Sequence, residues 1–345
     1  MTSAKQWLSG LLQREGAPVP PWSPVPPWSK VHDPLASLDD IFFCFRLFLG
    51  RSPHLEEWRG HAMQVGEKLP GVVEGYLNSL EFSRRGLLKQ DHMNEVILAD
   101  LPGFKIHAAA NDAAVGRHVL ANNYELEVSR VFREILKPGM GVLDIGANIG
   151  YFTMLSAVLV GETGYVLAIE PNPRNTCLLE ASRRANGFGH VTVSQTAAGP
   201  QTGLLVLNRS HSNGTTSGLP DDINAMMGSE LVPCVRPDCL VPAGRRIDLI
   251  KVDVEGSEFL ALQGCTAIIE RDRPAIVSEF SPDMMAGLSG IDGRDYLTWL
   301  MAMGYGLSVI EPDGTLQAMP LGHEQVMQVY RNRATDHIDI VAIVG

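Results

Sequence analysis

Between residues 141 and 344 the chain alternates short apolar or β-branched runs with helix-compatible segments, and this rhythm restricts the fold more than any other feature. The runs are 141–146, 165–170, 190–196, 247–253, 274–280, 306–310 and 337–344. Segments 150–159, 174–186, 257–264 and 294–303 lie between them and suit helices. Strand–helix alternation predicts a doubly wound, mostly parallel, seven-stranded α/β sheet of Rossmann-like form. In such sheets ligands bind beyond the C-terminal strand ends, near the switch in strand order. Functional residues are therefore expected just after the strands.

The 345 residues are 45% hydrophobic and 19% charged, which describes a globular chain and excludes bulk disorder. The most apolar stretches, 41–49 and 151–160, are far shorter than the roughly 20 residues that a membrane span needs. A net charge of −11 argues against a general nucleic-acid binder, which requires a basic face. Residues 1–95 carry ten Lys and Arg against eleven Asp and Glu, so −10 of that charge belongs to the later part. The five cysteines are scattered and form no CxxC, so they read as reduced thiols rather than zinc ligands. With no signal-peptide pattern at the N-terminus, a cytoplasmic protein is expected.

Ahead of the alternating region the pattern changes twice. Residues 18–23 read PVPPWS and 24–29 repeat it, an extended linker that closes an N-terminal arm over 1–32. From 33 to 95 the periodicity is helical. Asp39 and Asp40 open a helix that Gly50 ends, two more are expected over 53–65 and 69–80, and Glu81-Phe82-Ser83 begins the exit. This predicts a small all-α domain before an α/β domain over 96–345. Phe45–Pro53 (FRLFLGRSP) and Leu77–Arg85 (LNSLEFSRR) resemble helical modules of the phycobilisome-linker and DUF4214 type. That resemblance implies docking to a protein partner or self-association.

The first strand of the α/β region runs into Asp144-Ile145-Gly146-Ala147-Asn148-Ile149-Gly150. Gly146 and Gly150 bracket a tight turn that lets a ligand approach the backbone. The dinucleotide frame G-x-G-x-x-G fails, because Asn148 and Tyr151 occupy its second and third glycine positions. An acid two residues before the first glycine suits a cationic ligand better than a pyrophosphate. Glu170, at the end of the second strand, is placed to take the hydroxyls of a ribose. Together the two acids fit S-adenosylmethionine, with Asp144 toward its cationic end.

Three further blocks carry a resemblance to the FkbM family of class I methyltransferases: Glu170-Pro171-Asn172-Pro173, the run Asp248–Glu258 (DLIKVDVEGSE), and Pro274–Phe280 (PAIVSEF). They follow DIGANIG in the family's order, and Asn123–Glu127 before Leu136–Gly139 matches an entry segment. The resemblance implies S-adenosylmethionine as methyl donor, a hydroxyl acceptor often found on a sugar, glycolipid or polyketide, and no metal. Carried over, Asp144, Gly146, Ala147, Asn148 and Gly150 would hold the methionine half and Glu170 the ribose. Pro171, Asn172, Tyr124 and Glu125 would complete the cofactor contacts, with Thr196, Ala197 and Ala198 along the adenine. Gly199-Pro200 departs from the family's usual Gly-Asp at that edge.

Asp253 and Glu255 are the leading candidates for the base that takes the hydroxyl proton, and Asp253 would also face the transferring methyl. Lys251 would pair with a carboxylate and keep it ionised; a purely structural salt bridge is the competing role. For Glu255 the alternative is capping of the following helix. Glu279, at the end of the fifth strand, is expected to border the crevice. His211 reads as a solvated loop residue and His337 as an ordinary strand-edge residue. The segment 209–245 is expected to shape the acceptor pocket. The expected activity is O-methylation of a sugar or glycoconjugate. The alternatives are O-methylation of a polyketide or other secondary metabolite, and a docking or assembly protein with a vestigial methyltransferase domain.

Overall fold

The computed structural model describes residues 34–85, 96–210 and 212–344. The N-terminal arm, the whole 86–95 connection, His211 and Gly345 lie outside the described residues. The chain divides into two compact units, 1–90 and 91–345.

The first unit is helical. Ser37 caps the helix Leu38–Cys44 in a reciprocal pair with Asp40, whose backbone N–H it accepts at 3.2 Å while Asp40 accepts that of Ser37 at 2.9 Å. One π-type turn, Phe45–Leu49, continues it to Gly50, which ends the run at φ +67°. Helices Leu55–Ala62 and Leu69–Leu77 follow. Glu81-Phe82-Ser83, expected as an exit, instead lies in a further helix, Leu80–Arg85, because Ser79 Oγ accepts the Phe82 N–H at 3.1 Å and restarts the backbone. Ile41, Phe45, Val72, Tyr76 and Phe82 form a common core. Arg51 joins the ends of the unit: it forks onto Glu57 at 2.7 and 2.8 Å and onto Glu81 at 2.6 and 2.8 Å.

The second unit opens with an antiparallel hairpin, β1 (Val96–Leu101) and β2 (Phe104–Ala109), which the sequence pattern did not announce. Asn186 holds it against the helix Pro173–Asn186 by bonding both the N–H and the carbonyl of Lys105. The central strands are β3 (Gly141–Ile145), β4 (Tyr165–Ile169) and β5 (Val191–Ser194). Next come β6 (Ala197–Ala198), β7 (Gly203–Ser210), β8 (Asn213–Ser217) and β9 (Glu230–Val235). The remaining strands are β10 (Leu249–Val252), β11 (Ala275–Phe280), β12 (Tyr305–Ile310), β13 (Leu316–Ala318) and β14 (Ile338–Val344).

The main sheet has the order β13-β12-β14-β11-β10-β3-β4-β5. All seven expected strands take part, but the sheet has eight. The extra strand, β13, is a three-residue edge that returns antiparallel along β12 through a turn at Gly314, φ +81°. It is too short and polar to show as a strand in the sequence. Strands β5, β4, β3, β10 and β11 run parallel, whereas β14 is antiparallel to both β11 and β12. The chain winds outward from β3 to β5 and then returns to β10 on the other side of β3, so the switch in order lies between β3 and β10. Leu143 and Ile145 pack into one apolar layer and Val142 into the other, which puts Asp144 on the side of Val142. A second, four-stranded sheet of order β6-β9-β7-β8 occupies much of the segment read as an insertion. Among the described residues, no helix is long and apolar enough to cross a membrane.

Candidate active site

The turn after β3 has no room for a side chain at its first position. Gly146 has φ +81°, and a Cβ there would stand 1.8 Å from the carbonyl oxygen of Asp253, at the end of neighbouring β10. The next elements of the turn, Asn148 (φ +50°) and Gly150 (φ +95°), are also left-handed and lead into the helix Tyr151–Val160. Gly150, expected to hold the methionine half, is not among the residues lining the site's cavity or recess. Its missing Cβ makes room for Leu179 of the helix Pro173–Asn186, since a Cβ would lie 2.8 Å from Leu179 Cγ.

Asp144 is 1% exposed, and its Oδ2 accepts the Thr153 hydroxyl at 2.5 Å while its Oδ1 has no partner among the described residues. A recess lined by Asp144, Ala147, Lys251 and Asp253 shares Tyr124, Gly146 and Asn148 with a larger cavity of about 250 Å³. Glu170 lines that cavity at the end of β4. Its two oxygens accept the backbone N–H groups of Asn148 at 2.9 Å and Asn172 at 2.8 Å, so it joins the first turn to the second. Pro171 and Asn172 line the wall beside it. The Asn172 side chain caps the next helix by accepting the Arg174 N–H at 3.0 Å. Thr196, Ala197 and Ala198 form the wall beyond β5.

On the other side of the switch, Lys251 Nζ lies 2.7 Å from Asp253 Oδ2 and 4.8 Å from the centre of the Phe152 ring. Burial works against the lysine charge, but the carboxylates of Asp253, Glu125 and Asp144 outweigh it and hold the ammonium above its ordinary pKa. Glu255 faces the cavity at φ +54° and does not cap the following helix, whose N-cap residue is Ser257. The loop is tied by Glu258, whose Oε1 accepts the N–H groups of Val254 and Gly256, each at 3.0 Å. Glu279 enters the same cavity from the end of β11.

Tyr124 and Glu125 complete the wall from the start of the helix Leu126–Ile135. Glu125 sits at φ +39°, a strained conformation for a non-glycine residue. Burial raises its carboxyl to about 8, against the attraction of Lys251. Burial likewise raises Glu170 to about 7 and pushes Asp144, Glu255 and Glu279 upward.

Most expected residues therefore converge on the cavity and its recess, with Gly150 the exception. Sequence reasoning assigned His337 to an ordinary strand edge, yet it lines the cavity just before β14. Also missed were Asn175 and the β7–β8 hairpin. Asn175 Nδ2 donates to the Ser212 carbonyl at 2.7 Å, and Asn148 Nδ2 donates to Asn213 Oδ1 at 3.2 Å. The start of the 209–245 segment thus closes over the turns around Asn148 and Glu170. Its polar, glycine-containing sequence gave no sign of this, because the contacts connect residues 37 and 65 positions apart.

Residues 144–307 match the profile of the methyltransferase FkbM domain. No curated protein matches the chain. Similar solved structures include methyltransferase FkbM from Methylobacillus flagellatus KT, at 17% identity and TM-score 0.38, covering 62% of this chain and 50% of that one. The chain thus spans half the length of that protein. An S-adenosylmethionine-dependent O-methyltransferase from Thermotoga maritima has 13% identity and TM-score 0.36, with coverage of 64% and 66%. Fibrillarin from Aeropyrum pernix, solved with bound S-adenosylmethionine, has 13% identity and TM-score 0.38, with coverage of 63% and 73%.

The residues present fit that cofactor. The unpartnered Asp144 Oδ1 suits a cationic group in the recess. Glu170 retains lone pairs for ribose hydroxyls after taking two N–H groups. Ile169, Ala197 and Leu207 supply an apolar wall for a base. Residues 144–307 thus match the methyltransferase FkbM domain, and the site has the groups that S-adenosylmethionine as cofactor requires.

Proposed function

We propose that the protein O-methylates a hydroxyl of a sugar or glycoconjugate in the cytoplasm, with residues 96–345 as the catalytic domain. The observation that carries this reading is the Lys251–Asp253 pair at the switch between β3 and β10, 2.7 Å apart, both lining the recess and Asp253 also lining the cavity. When bound, S-adenosylmethionine supplies an electrophilic methyl on a sulfonium, which departs as a thioether with the C–S bonding pair. Asp144, Gly146, Ala147 and Asn148 would hold its methionine half, Glu170 and Pro171 the ribose, and Ala197 the adenine edge. Tyr124 and Glu125 would close the site.

Asp253 receives the hydroxyl proton. Lys251 occupies Oδ2, leaving Oδ1 to act as the base. Alignment of the acceptor oxygen with the methyl then contributes a large part of the rate. Glu255 and Glu279 border the acceptor side. The helical N-terminal unit is assigned to partner contact or self-association, supported by the exposed Phe43 and Leu47.

The test is a methyl-transfer screen over glycans and small hydroxylated metabolites, read by mass shift, with Asp253→Asn as control. Wild type should methylate a sugar hydroxyl, and the variant should bind cofactor without turnover. Unaltered turnover by Asp253→Asn would remove Asp253 from the role of base. Transfer confined to non-sugar hydroxyls would instead favour the secondary-metabolite reading.

A further inference from the structure

The acceptor side of the cavity carries more negative charge than the proposed chemistry needs. Asp253 alone can serve as base, and Lys251 already answers it. Glu255 and Glu279 also line the cavity, and neither carboxylate makes a hydrogen bond or ion pair among the described residues. Glu279 lies directly opposite Asp339 in the antiparallel β11–β14 ladder, so two like-charged side chains share one face of the sheet. Such a pairing is destabilising; His337 and Lys251 attract Asp339, whereas the strongest charged neighbours of Glu279 are all carboxylates. Asp339 has no hydrogen bond or ion pair among the described residues either.

Counting the groups in and around the cavity sharpens the point. Glu125, Asp144, Asp253, Glu255, Glu279 and Asp339 surround Lys251, with His337 at the rim paired to Asp336 at 3.0 Å. S-adenosylmethionine brings one net positive charge, directed at the recess where Asp144 Oδ1 is buried and unpartnered. Glu255 is attracted only by His337 and Lys251, which other carboxylates share, and the strongest charged neighbours of Glu279 are all carboxylates. A neutral sugar would leave them so, at a desolvation cost. An acceptor bearing an ammonium group would neutralise them and would be oriented by them.

We propose that the acceptor is a cationic hydroxyl compound, an amino sugar or similar hydroxylated amine, whose ammonium is held by Glu255 and Glu279 while its hydroxyl faces Asp253. This inference rests on the O-methyltransferase reading above and adds the charge of the substrate to it.

The experiment uses the full chain loaded with S-adenosylhomocysteine and three matched pairs of probes near neutral pH. These are methyl glucosaminide, methyl galactosaminide and ethanolamine, each against its N-acetyl counterpart, with binding measured by calorimetry. At least one amine should bind about tenfold more tightly than its neutral partner, the scale of one charge contact in a partly buried site. Glu255→Gln and Glu279→Gln should each shrink that gap roughly threefold or more, with S-adenosylhomocysteine affinity unchanged. Equal binding by the neutral members, a gap that neither variant alters, or no binding by any amine to the loaded protein would overturn the inference. Failure of the wild type to bind S-adenosylhomocysteine would instead strike the cofactor-site reading beneath it.

Discussion

Gly146 and Asp253 meet backbone to backbone across the switch between β3 and β10, so closely that a Cβ on Gly146 would stand 1.8 Å from the Asp253 carbonyl oxygen. The cofactor turn and the loop bearing the proposed base are thus parts of one junction. Gly146→Ala combines this clash with a positive φ. It is expected to destabilise the unit by about 2–5 kcal/mol and to abolish cofactor binding. Denaturant unfolding and calorimetry check both, and a stable, binding-competent variant would contradict the geometry.

Asp144 presents an unpartnered buried oxygen to the recess. Asp144→Asn keeps the size and the Thr153 contact but removes the charge. S-adenosylmethionine affinity should fall at least about tenfold, because a charge-assisted contact is lost. Unchanged affinity would show that the ammonium lies elsewhere.

Lys251 stands among Asp253, Glu125 and Asp144. Lys251→Met leaves these carboxylates without their counter-charge, and the expected loss is about 3–5 kcal/mol of stability. Adding Asp253→Asn to Lys251→Met should recover part of it. Equilibrium unfolding of the single and double variants tests the coupling, which would be refuted by additive losses.

Burial raises Glu170 and Glu258 to about 7 from an ordinary 4.5. The folded state therefore retains protons that the unfolded chain has released, and its stability falls as pH rises from 4.5 through 7. The cofactor-free protein should melt several degrees lower at about pH 8 than at about pH 5, with on the order of 1–3 kcal/mol lost per group. Glu57 and Glu180, held near 2 by arginine partners, act in the opposite sense but only below 4.5. Calorimetric melts across this range should slope downward, and a rising curve would exclude the buried-acid account.

Arg51 grips two glutamates with one planar fork. Arg51→Lys keeps the charge but loses the bidentate geometry. With these side chains roughly a third exposed, solvent screening limits the expected loss to about 1–2 kcal/mol. Hydrogen exchange over residues 38–85 should accelerate, with cofactor binding by the second unit unchanged.

How far the sequence could be read followed the range of the interactions. Every main strand carrying a site residue showed itself, because β-branched runs and Gly-containing turns are local signals. Asp144, Glu170, Asp253 and Glu279 were singled out by their positions at strand ends, and all four line the cavity or its recess. A glycine that admits a ligand and one that admits Leu179, as Gly150 does, look alike in a chain. His337 was passed over because its neighbours along the chain say nothing of the loop that it faces.

The sequence by itself determined the alternation of elements, the acids at the strand ends and the glycines at the turns. Tertiary structure alone decided which acids share a cavity, which one is answered by Lys251, and which stand unpaired. Those outcomes depend on strand order and register, which place Glu279 opposite Asp339 although sixty residues separate them. Desolvation and charge repulsion act through space, so the chemistry of each carboxylate arises only once the sheet has assembled.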